Sequence, residues 1–408
     1  MKQGWEFRKL GDVYDVRDGT HDSPKYVKEG YALITSKNLK NDNLNYDNAN
    51  YITEQDYISI NKRSKVDIGD ILFAMIGTIG NPIVIKDEPD FAIKNVALFK
   101  VPENQNSYFL KYYLDSGLVI EQMIRDAKGA TQKFVGLGYL RAFKIPLPPL
   151  QEQQAIVSIL DEAFAAITQA KANAEQNLQN AKELFESYLQ SVFENKGDDW
   201  EEKALGKVCE LKPQKKEAKD KLSQTDAVTF LPMEDLGILN KEVIGVKERQ
   251  LCDVAGSYTY FADNDVLLAK ITPCFENGKI GIARNLTNGI GFGSSEYIVF
   301  RAKESITPEY LYYFLSRNQI RTEGKKYMSG AVGHKRVSKE WIENHIIPLP
   351  PLKEQQAIVE RLDALSTETK QLEAIYQQKI NDLGELKKSI LQKAFAGELN
   401  TSALELEV

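Results

Sequence analysis

The chain has 408 residues, of which 42% are hydrophobic and 27% charged, and its formal net charge is −6. This composition is typical of a soluble globular protein, and the length suggests two or three domains. No apolar run is long enough to span a membrane, and the first residues, MKQGWEFRKL, lack the pattern of a signal peptide.

The cysteines and histidines argue against disulfides and against a metal site. Cys209, Cys252 and Cys274 are odd in number and show no CxxC spacing, and the 3 histidines lie far apart in the sequence. Disulfide frameworks and structural zinc sites need closely patterned Cys and His residues. We therefore expect no metal and no cofactor on this chain, and a cytoplasmic location.

The negative charge is concentrated in residues 145–196 and 347–408, which are rich in Glu and Gln. Residues 1–144 and 197–346 are close to neutral, so either segment can still present a basic face. The overall charge of −6 is therefore compatible with nucleic-acid binding.

Residues 1–144 predict a first globular domain of mixed α and β structure. Aromatic and β-branched clusters alternate with Gly, Asn and Asp, which is typical of short strands separated by turns. The segment YFLKYYL (108–114) has helical spacing instead. The predicted strands are YALITS (31–36), DILFAMI (70–76), NPIVI (81–85) and NVALFK (95–100).

Residues 145–196 predict one long helix that begins at a proline box, IPLPPLQEQQAIV. Proline ends the element before it and tolerates a helix after it. No Pro or Gly follows Leu150 until Gly197. Apolar residues recur at helical steps, with Lys171 at the missing position, and this pattern predicts a coiled-coil seam. A seam of this kind needs a partner helix to cover it.

Residues 197–346 predict a second globular domain on the plan of the first. Short strings match at nearly constant spacing and the sequences diverge between them, so the two domains share a fold and differ in surface. The matching pairs are Trp5 with Trp200, LGDV (10–13) with LGKV (205–208), DILFAMI (70–76) with DVLLAKI (265–271), and Gly129-Ala130 with Gly330-Ala331.

Residues 347–408 open with a second proline box, IPLPPLKEQQAIV, and predict a second long helix. The match to the first helix holds without a gap from the box to Phe395, although Thr369, Lys379 and Gly384 interrupt the seam. Two such helices in one chain can bury each other's apolar stripe. The alternative is that each helix packs only on its own domain.

No complete catalytic motif is present. The glycines of GIGFG (289–293) have the spacing of a dinucleotide loop but precede a predicted strand rather than a helix. Gly278-Lys279 lacks the rest of a phosphate-binding loop, and the chain lacks the Asn/Asp-Pro-Pro-Tyr/Phe signature of an amino-methyltransferase. We therefore expect a protein that is not an enzyme.

Two turns combine small residues with hydrogen-bond donors and cations, at residues 129–133 and 330–336. Glycine lets backbone N–H groups approach phosphates, and Lys and Arg neutralise them. Gln132 has the groups to pair with adenine, and Arg336 with guanine. The alternative is a pair of solvated basic loops. The lysines of residues 212–221 are interpreted as a mobile solvated loop.

The chain resembles the specificity subunit of type I restriction–modification systems over essentially its whole length. The paired proline boxes and the closing string SILQKAFAGEL (389–399) carry this resemblance. Strings inside the domains add to it: DGTHDSPKY (18–26), LITSKNL (33–39), MIGTIGN (75–81), PMED (232–235) and AKITPCFENGK (269–279).

The resemblance implies an α/β protein with an internal pseudo-two-fold repeat. Its parts are target-recognition domain 1 (1–144), a central conserved helix (145–196), target-recognition domain 2 (197–346), and a C-terminal conserved helix with a tail (347–408). The two helices are expected to form an antiparallel coiled coil. Each domain is expected to bind one half of a bipartite target in double-stranded DNA.

The resemblance also implies partners and sites. The expected partners are two methyltransferase subunits, which carry S-adenosylmethionine, and restriction subunits, which carry ATP and Mg; none of these groups is expected on this chain. Candidate DNA-binding residues are Thr20, His21, Lys25, Ser36, Lys37, Asn38, Thr78, Asn81, Thr131, Gln132, Lys133, Lys270, Thr272, Asn277, Lys279, His334, Lys335 and Arg336. Candidate partner-docking residues are Glu152, Gln153, Gln154, Glu354, Gln355 and Gln356.

The sequence thus favours a non-catalytic DNA-recognition subunit that positions an adenine methyltransferase and restriction subunits. Two alternatives stay open: a standalone methyltransferase or nuclease, and a coiled-coil scaffold without DNA specificity. The first conflicts with the missing catalytic motifs. The second predicts that DNA binding is absent or does not depend on salt.

Overall fold

The computed structural model describes residues 4–40, 42–243, 247–331 and 333–401. It divides into two compact units, which are Met1–Ala174 with Gln378–Val408 (unit 1) and Glu175–Gln377 (unit 2). Each unit therefore combines one globular domain with part of each long helix. Among the described residues, no helix combines the length and the apolar character that a membrane span requires.

Unit 1 contains the first domain, and its elements follow the predicted order. The four strands and the helix expected from the sequence are all present, displaced by only one or two residues at their ends. The strands are β1 Glu6–Lys9, β2 Asp15–Asp18, β3 Tyr31–Ile34, β4 Leu39–Lys40, β5 Asn43–Leu44, β6 Asn50–Ile52, β7 Ile71–Ala74, β8 Gly80–Val84, β9 Phe91–Ile93, β10 Val96–Lys100 and β11 Lys144–Leu147. The helices are α1 Leu10–Val13, α2 Glu54–Ser64, α3 Ser107–Asp115, α4 Gly117–Asp126, α5 Leu137–Ala142 and α6 Leu150–Glu194, whose second half belongs to unit 2.

The first domain is built on two small sheets of order β2-β10-β7-β8 and β6-β3-β9. In the larger sheet, β10 pairs antiparallel with β7, so that Leu98 lies opposite Leu72. A two-stranded ribbon of β1 and β11 closes the domain next to the proline box. Nearly every residue of β7 and β10 is buried, because both faces of this sheet are covered.

Unit 2 contains the second domain. Its strands are β12 Glu201–Ala204, β13 Cys209–Leu211, β14 Ala227–Leu231, β15 Lys247–Gln250, β16 Thr259–Ala262, β17 Val266–Ala269, β18 Ile280–Ile282, β19 Ile290–Gly293, β20 Tyr297–Ala302, β21 Met328–Ser329, β22 Arg336–Val337 and β23 Ile346–Leu349. Its helices are α7 Leu205–Val208, α8 Lys216–Lys221, α9 Leu251–Val254, α10 Pro308–Ser316, α11 Asn318–Lys326, α12 Lys339–Asn344 and α13 Leu352–Ala396, whose second half belongs to unit 1.

The two domains repeat one topology. Sheet β13-β20-β17-β18 corresponds to β2-β10-β7-β8, and the ribbon of β12 and β23 corresponds to that of β1 and β11. The second sheet differs, because β15-β14-β19-β16 has one strand more than β6-β3-β9. The repeated fold predicted from the sequence is confirmed, and the divergence is greatest in this second sheet.

The long helices pack antiparallel within each unit. In unit 1, Leu160 and Phe164 of α6 share one core with Leu391 and Ala394 of α13. In unit 2, Phe193 near the end of α6 shares a core with residues near the start of α13, among them Val359 and Leu362. The predicted coiled-coil pairing is therefore confirmed, and both helices also pack on the globular domains.

The seam departs from a uniform heptad pattern at several positions. Lys171, expected at the seam, is exposed, and so are Leu372 and Leu386 of α13. Thr369, expected to interrupt the seam, is buried, and its Oγ1 donates to Leu365 O at 2.9 Å within the helix. Gly384 leaves the helix unbroken. Fewer seam positions of α13 are therefore buried than the residue pattern predicts.

Candidate nucleic-acid interface

In the first domain, the segment that follows β7 lies against the basic turn. Gly77 N donates to Lys133 O at 2.9 Å, and Val135 N donates to Met75 O at 3.0 Å. Lys128 and Phe134 exchange backbone hydrogen bonds and close the turn as a hairpin. We call residues 75–81 and 128–135 the paired loops of the first domain. They place Gly77, which directly precedes Thr78, beside Gln132 and Lys133.

The second domain repeats this pairing with different residues. Thr272 N donates to Lys335 O at 2.9 Å, and Val337 N donates to Lys270 O at 2.9 Å. Strands β21 and β22 form the corresponding hairpin, with Ser329 opposite Arg336. Residues 270–279 and 328–337 are the paired loops of the second domain. They place Lys270 and Thr272 beside Lys335 and Arg336.

The paired loops are close-packed at one glycine of the first domain. Gly77 has φ of +79° and a Cβ there would lie 3.0 Å from the Gln132 Nε2. A side chain at this position would strain the backbone and press on Gln132. The glycine thus permits the loop to hold Gln132, Thr78 and Thr131 together on the surface, where all are exposed.

His21 lies at the same edge of the sheet, in a network of side chains. Its Nδ1 lies 2.8 Å from Asn95 Oδ1 and its Nε2 lies 2.9 Å from Asp18 Oδ2. Asp18 is buried and also forms an ion pair with Arg63. Both ring nitrogens are engaged, so the exposed ring of His21 is held in one orientation. Asn95 directly precedes Val96, which pairs with Ala74 at the start of the paired loops.

Other candidates of the first domain differ in accessibility. Lys25 and Lys37 are exposed, whereas Thr20 is half-buried and its Oγ1 accepts from Asp22 N at 3.1 Å. The Asn81 side chain donates to Leu39 O at 3.1 Å, and Lys133 Nζ donates to Ile124 O at 3.4 Å. Lys25, Lys37 and Lys133 are therefore the exposed cations among the candidates of this domain.

Asn38 is a correction to the candidate set. Its side chain is 3% exposed, its Oδ1 accepts from Thr35 N at 2.9 Å, and its Nδ2 donates to Asn45 O at 2.9 Å. The amide holds the loop together and is inaccessible to DNA in this conformation. The neighbouring Ser36 hydroxyl is buried without a hydrogen-bond partner among the described residues. Both residues shape the loop that presents Lys37.

In the second domain, the ammonium groups of two candidate lysines donate hydrogen bonds to backbone carbonyls. Lys270 Nζ donates to Ser295 O at 2.9 Å, and burial lowers the pKa of Lys270. Lys279 Nζ donates to Met233 O at 2.6 Å, and the Thr272 hydroxyl lies 3.9 Å from Met328 Sδ. Asn277, His334 and Lys335 are exposed. Lys279 therefore braces the loop, while the hairpin carries the accessible groups.

Glu296 fixes the orientation of Arg336, and the sequence did not single it out. Arg336 Nε lies 2.8 Å from Glu296 Oε2, and Nη2 lies 2.7 Å from Oε1. The Arg336 guanidinium holds the pKa of Glu296 below its ordinary value. Glu296 directly precedes Tyr297, which pairs with Ala269. It therefore stands where Asn95 stands in the first domain, and only that repeat could have revealed it.

The basic run at residues 212–221, predicted as a mobile loop, is helical in part. Its second half forms α8 (Lys216–Lys221), and Lys215 Nζ donates to Gly256 O at 2.8 Å. Alternating Lys, Glu and Ala are good helix formers, which explains the difference from the prediction. Burial lowers the pKa of Lys270, and the charge of Lys212 lowers it further.

The proline boxes hold a pair of buried glutamines. Gln153 is 0% exposed; its Oε1 accepts from Asn106 N at 3.0 Å, and its Nε2 donates to Pro148 O at 2.9 Å. Gln355, also 0% exposed, repeats these bonds with Thr307 N and Pro350 O, each at 2.9 Å. Each amide ties a long helix to its own domain. Gln153 and Gln355 are therefore inaccessible to a partner subunit, which corrects the prediction for these two residues.

The other docking candidates lie nearer the surface. Gln154 and Gln356 are exposed and Glu152 is half-buried. Glu354 is half-buried and accepts from Trp200 Nε1 at 3.0 Å. Gln154 and Gln356 thus occupy equivalent, accessible positions on the two helices.

The described residues contain no group of three or more His, Cys, Asp and Glu side chains placed to hold a metal ion. Cys209 is buried, which raises the pKa of its thiol to about 12. A thiol with such a pKa is protonated at neutral pH and is a poor nucleophile.

Comparisons with known proteins converge on one family. Residues 2–177 and 197–382 each match the family model described as "Type I restriction modification DNA specificity domain". The chain is 36% identical over 180 residues to the type I restriction enzyme EcoAI specificity subunit of Escherichia coli, a match covering 43% of this chain and 29% of that protein. It is 26% identical over 424 residues to the putative type I restriction enzyme MjaX specificity subunit of Methanocaldococcus jannaschii, covering 98% of this chain and 94% of that protein.

Two solved structures share the fold over nearly the whole chain. The crystal structure of the HsdS subunit from Thermoanaerobacter tengcongensis superposes with a TM-score of 0.62 at 21% identity, covering 98% of each chain. A chain from a structure that describes complex assembly and conformational transition of the type I R-M system superposes with a TM-score of 0.72 at 19% identity, covering 98% of this chain and 99% of that one.

Proposed function

The chain belongs to the type I restriction–modification DNA specificity family, and from that premise we propose that it recognises a bipartite target in double-stranded DNA. Each globular domain contacts one half of the target through its paired loops. The chain itself is non-catalytic and acts in the cytoplasm as the recognition subunit of a methyltransferase and restriction complex.

One observation carries this proposal, namely that the two domains present the same backbone frame with different side chains. The bonds from Gly77 to Lys133 and from Thr272 to Lys335 occupy equivalent places. At the tip of this frame, Phe134 in the first domain stands where Arg336 stands in the second, since they bridge to Ile76 and Ile271 respectively. A shared frame with divergent tips suits a protein that reads two different base sequences.

The charge around the paired loops suits a duplex. In the second domain, burial lowers the pKa of Lys270, and the charge of the nearby Lys212 lowers it further. Lys335 is exposed beside them. Cations clustered at one edge neutralise phosphates and release counterions, which gives general affinity for DNA. Base-edge contacts from the divergent side chains then give specificity.

The partners and cofactors follow from the same premise. Two methyltransferase subunits supply the S-adenosylmethionine site, and restriction subunits supply the ATP and Mg sites, because this chain lacks the sequence motifs for all three. The accessible Gln154 and Gln356, which occupy equivalent places in the two proline boxes, are the docking candidates that the structure favours.

Exchange of one domain tests the proposal. Residues 14–144 are replaced by the same segment of a relative, and the methylated sequences in the host genome are mapped. One half of the methylated motif should change and the other half should persist. A change in both halves, or in neither, contradicts the assignment of one half-site to each domain.

DNA binding by the intact complex separates recognition from scaffolding. The complex, purified with its methyltransferase subunits, should bind duplexes that carry the methylated motif more tightly than scrambled duplexes, and affinity for both should fall steeply with salt. Binding that is absent, or equal for both duplexes, would favour a coiled-coil scaffold.

A further inference from the structure

Arg336 is held by three hydrogen bonds within the second domain. Its Nε and Nη2 contact the two oxygens of Glu296, at 2.8 and 2.7 Å, and its Nη1 donates to His334 O at 3.0 Å. Glu296 is itself fixed, because its N donates to Ser294 Oγ at 3.2 Å and its O accepts from Lys270 N at 2.9 Å. The guanidinium therefore has a defined orientation before any DNA arrives.

The remaining donors of Arg336 form a pair. A guanidinium carries five N–H groups, one on Nε and two on each Nη. The contacts within the described part of the chain use one N–H of each nitrogen, which leaves one on Nη1 and one on Nη2. Free donors on these two neighbouring nitrogens suit the O6 and N7 acceptors of guanine in the major groove.

The carboxylate of Glu296 disfavours a phosphate as the partner of Arg336. It cancels the charge of the guanidinium at close range, and it would repel a phosphate brought to the same place. An arginine that is already paired with a carboxylate adds little to counterion release when DNA binds. Its contribution to binding therefore comes from the direction of its remaining hydrogen bonds. The neighbouring Lys335, which is exposed, is better placed for phosphate contact.

The residue of the first domain that corresponds to Glu296 also holds an exposed side chain in place. Asn95 stands where Glu296 stands, immediately before the strand that pairs with β7 or β17. Its Oδ1 holds His21 Nδ1 at 2.8 Å. In both domains this position thus holds an exposed side chain, which is Arg336 of the paired loops in the second domain and His21, outside the paired loops, in the first.

We propose that Glu296 is a positioning residue that presents Arg336 to a guanine in the DNA half-site of the second domain. This inference rests on the proposed function, and it adds both a residue and a base to it. The first domain has Phe134 in the place of Arg336 and presents no guanidinium there.

The test is selection of bound duplexes from a randomised double-stranded DNA pool by the complex with its methyltransferase subunits. The wild-type complex should enrich a motif with guanine at one position of one half-site. Arg336→Ala and Glu296→Ala should each lower the preference for that guanine by about tenfold, while the other half-site stays unchanged. Glu343→Gln is the matched control, because Glu343 pairs with Lys339 on α12 at 2.9 Å, apart from the loops.

Affinity for scrambled duplexes distinguishes a positioning role of Glu296 from a purely structural role. Glu296→Ala and Glu296→Gln remove a negative charge and release Arg336, so binding to scrambled duplexes should strengthen as specificity falls. A purely structural role would weaken both kinds of binding and lower the unfolding midpoint. If Glu296→Ala kept the full guanine preference while Arg336→Ala lost it, this inference would be overturned and the proposed function would stand. A wild-type complex that enriches no motif would overturn the proposed function itself.

Discussion

Phe193 and Phe395 occupy equivalent places in the two units, each near the end of a long helix and against two aromatic rings of a shorter helix. The Phe193 ring lies 5.2 Å from Tyr310 and 5.4 Å from Phe314. The Phe395 ring lies 5.4 Å from Phe109 and 5.2 Å from Tyr113. The end of α13 thus completes the core of the first domain, which is remote from it in sequence, whereas the end of α6 completes the core of the second domain, which directly follows it.

Replacement of Phe395 by Ala should destabilise unit 1 by about 3 kcal/mol, since it removes a packed aromatic ring and leaves a cavity. Hydrogen exchange should show lost protection in α3, while α10 stays protected. Chemical denaturation measures the size of the effect. Leu386→Ala, at an exposed position of the same helix, should change stability by under about 0.5 kcal/mol. Equal loss of protection in α10 would contradict this assignment.

Removal of the buried amide in Gln153→Ala or Gln355→Ala should cost about 2 kcal/mol in the free energy of unfolding. The reason is that each change leaves a backbone N–H and a proline carbonyl without their partner inside the protein. Gln154→Ala, one residue along and exposed, is the matched control and should be nearly neutral. Similar losses of unfolding free energy in Gln153→Ala and Gln154→Ala would show that the buried hydrogen bonds do not stabilise the fold.

His345→Phe should remove a pH dependence of stability. Burial lowers the pKa of His345 from its ordinary value of 6.5, and the ring packs against Phe314 and Trp341 at 5.7 and 4.8 Å. The unfolded chain therefore binds more protons than the folded chain below about pH 6.5, so stability is full above that pH and falls as the pH drops through it. Phe143 is the natural residue at the equivalent place in the first domain.

The measurement is the unfolding midpoint of both proteins between about pH 7.5 and 5.5, a window in which carboxylates contribute little. The wild-type midpoint should fall as the pH drops, and the variant midpoint should fall less. Parallel curves would mean that His345 is not the titrating group responsible.

Lys335→Ala should reduce the salt dependence of DNA binding by about one unit of the logarithmic slope, because one phosphate contact is lost. Lys133→Ala should do the same in the first domain. Neither change should alter the enriched motif, since phosphate contacts carry no direct sequence information. Binding titrations over a range of salt concentrations measure the slope, and Lys388→Ala, in an exposed pair on α13, serves as the control.

Most of the fold could be predicted from the sequence, because periodicity is local. Four of the strands described in the first domain, the helix at 108–114 and both long helices follow from residue patterns alone. The repeat also located the paired loops, since Gly129-Ala130 and Gly330-Ala331 mark both turns. The extra strand of the second sheet could not be found, because the sequences there have diverged too far to compare.

The site was harder to predict, because it depends on where side chains point. Asn38, Gln153 and Gln355 were candidates because they lie in the strings that carry the family resemblance, yet each is turned inward to satisfy backbone groups. Glu296 was missed because its partner Arg336 lies 40 residues away. Pairs at that separation leave no local pattern in one sequence.

The arrangement of the long helices has a consequence for synthesis on the ribosome. Unit 2 is the uninterrupted stretch Glu175–Gln377, whereas unit 1 needs both the start of the chain and Gln378–Val408. The first domain therefore waits for translation of α13 before Leu391 and Ala394 can enter its core. A nonsense mutation in the codons for α13 beyond Gln377 would spare the second domain, which is encoded nearby, and injure the first domain, which is encoded far upstream.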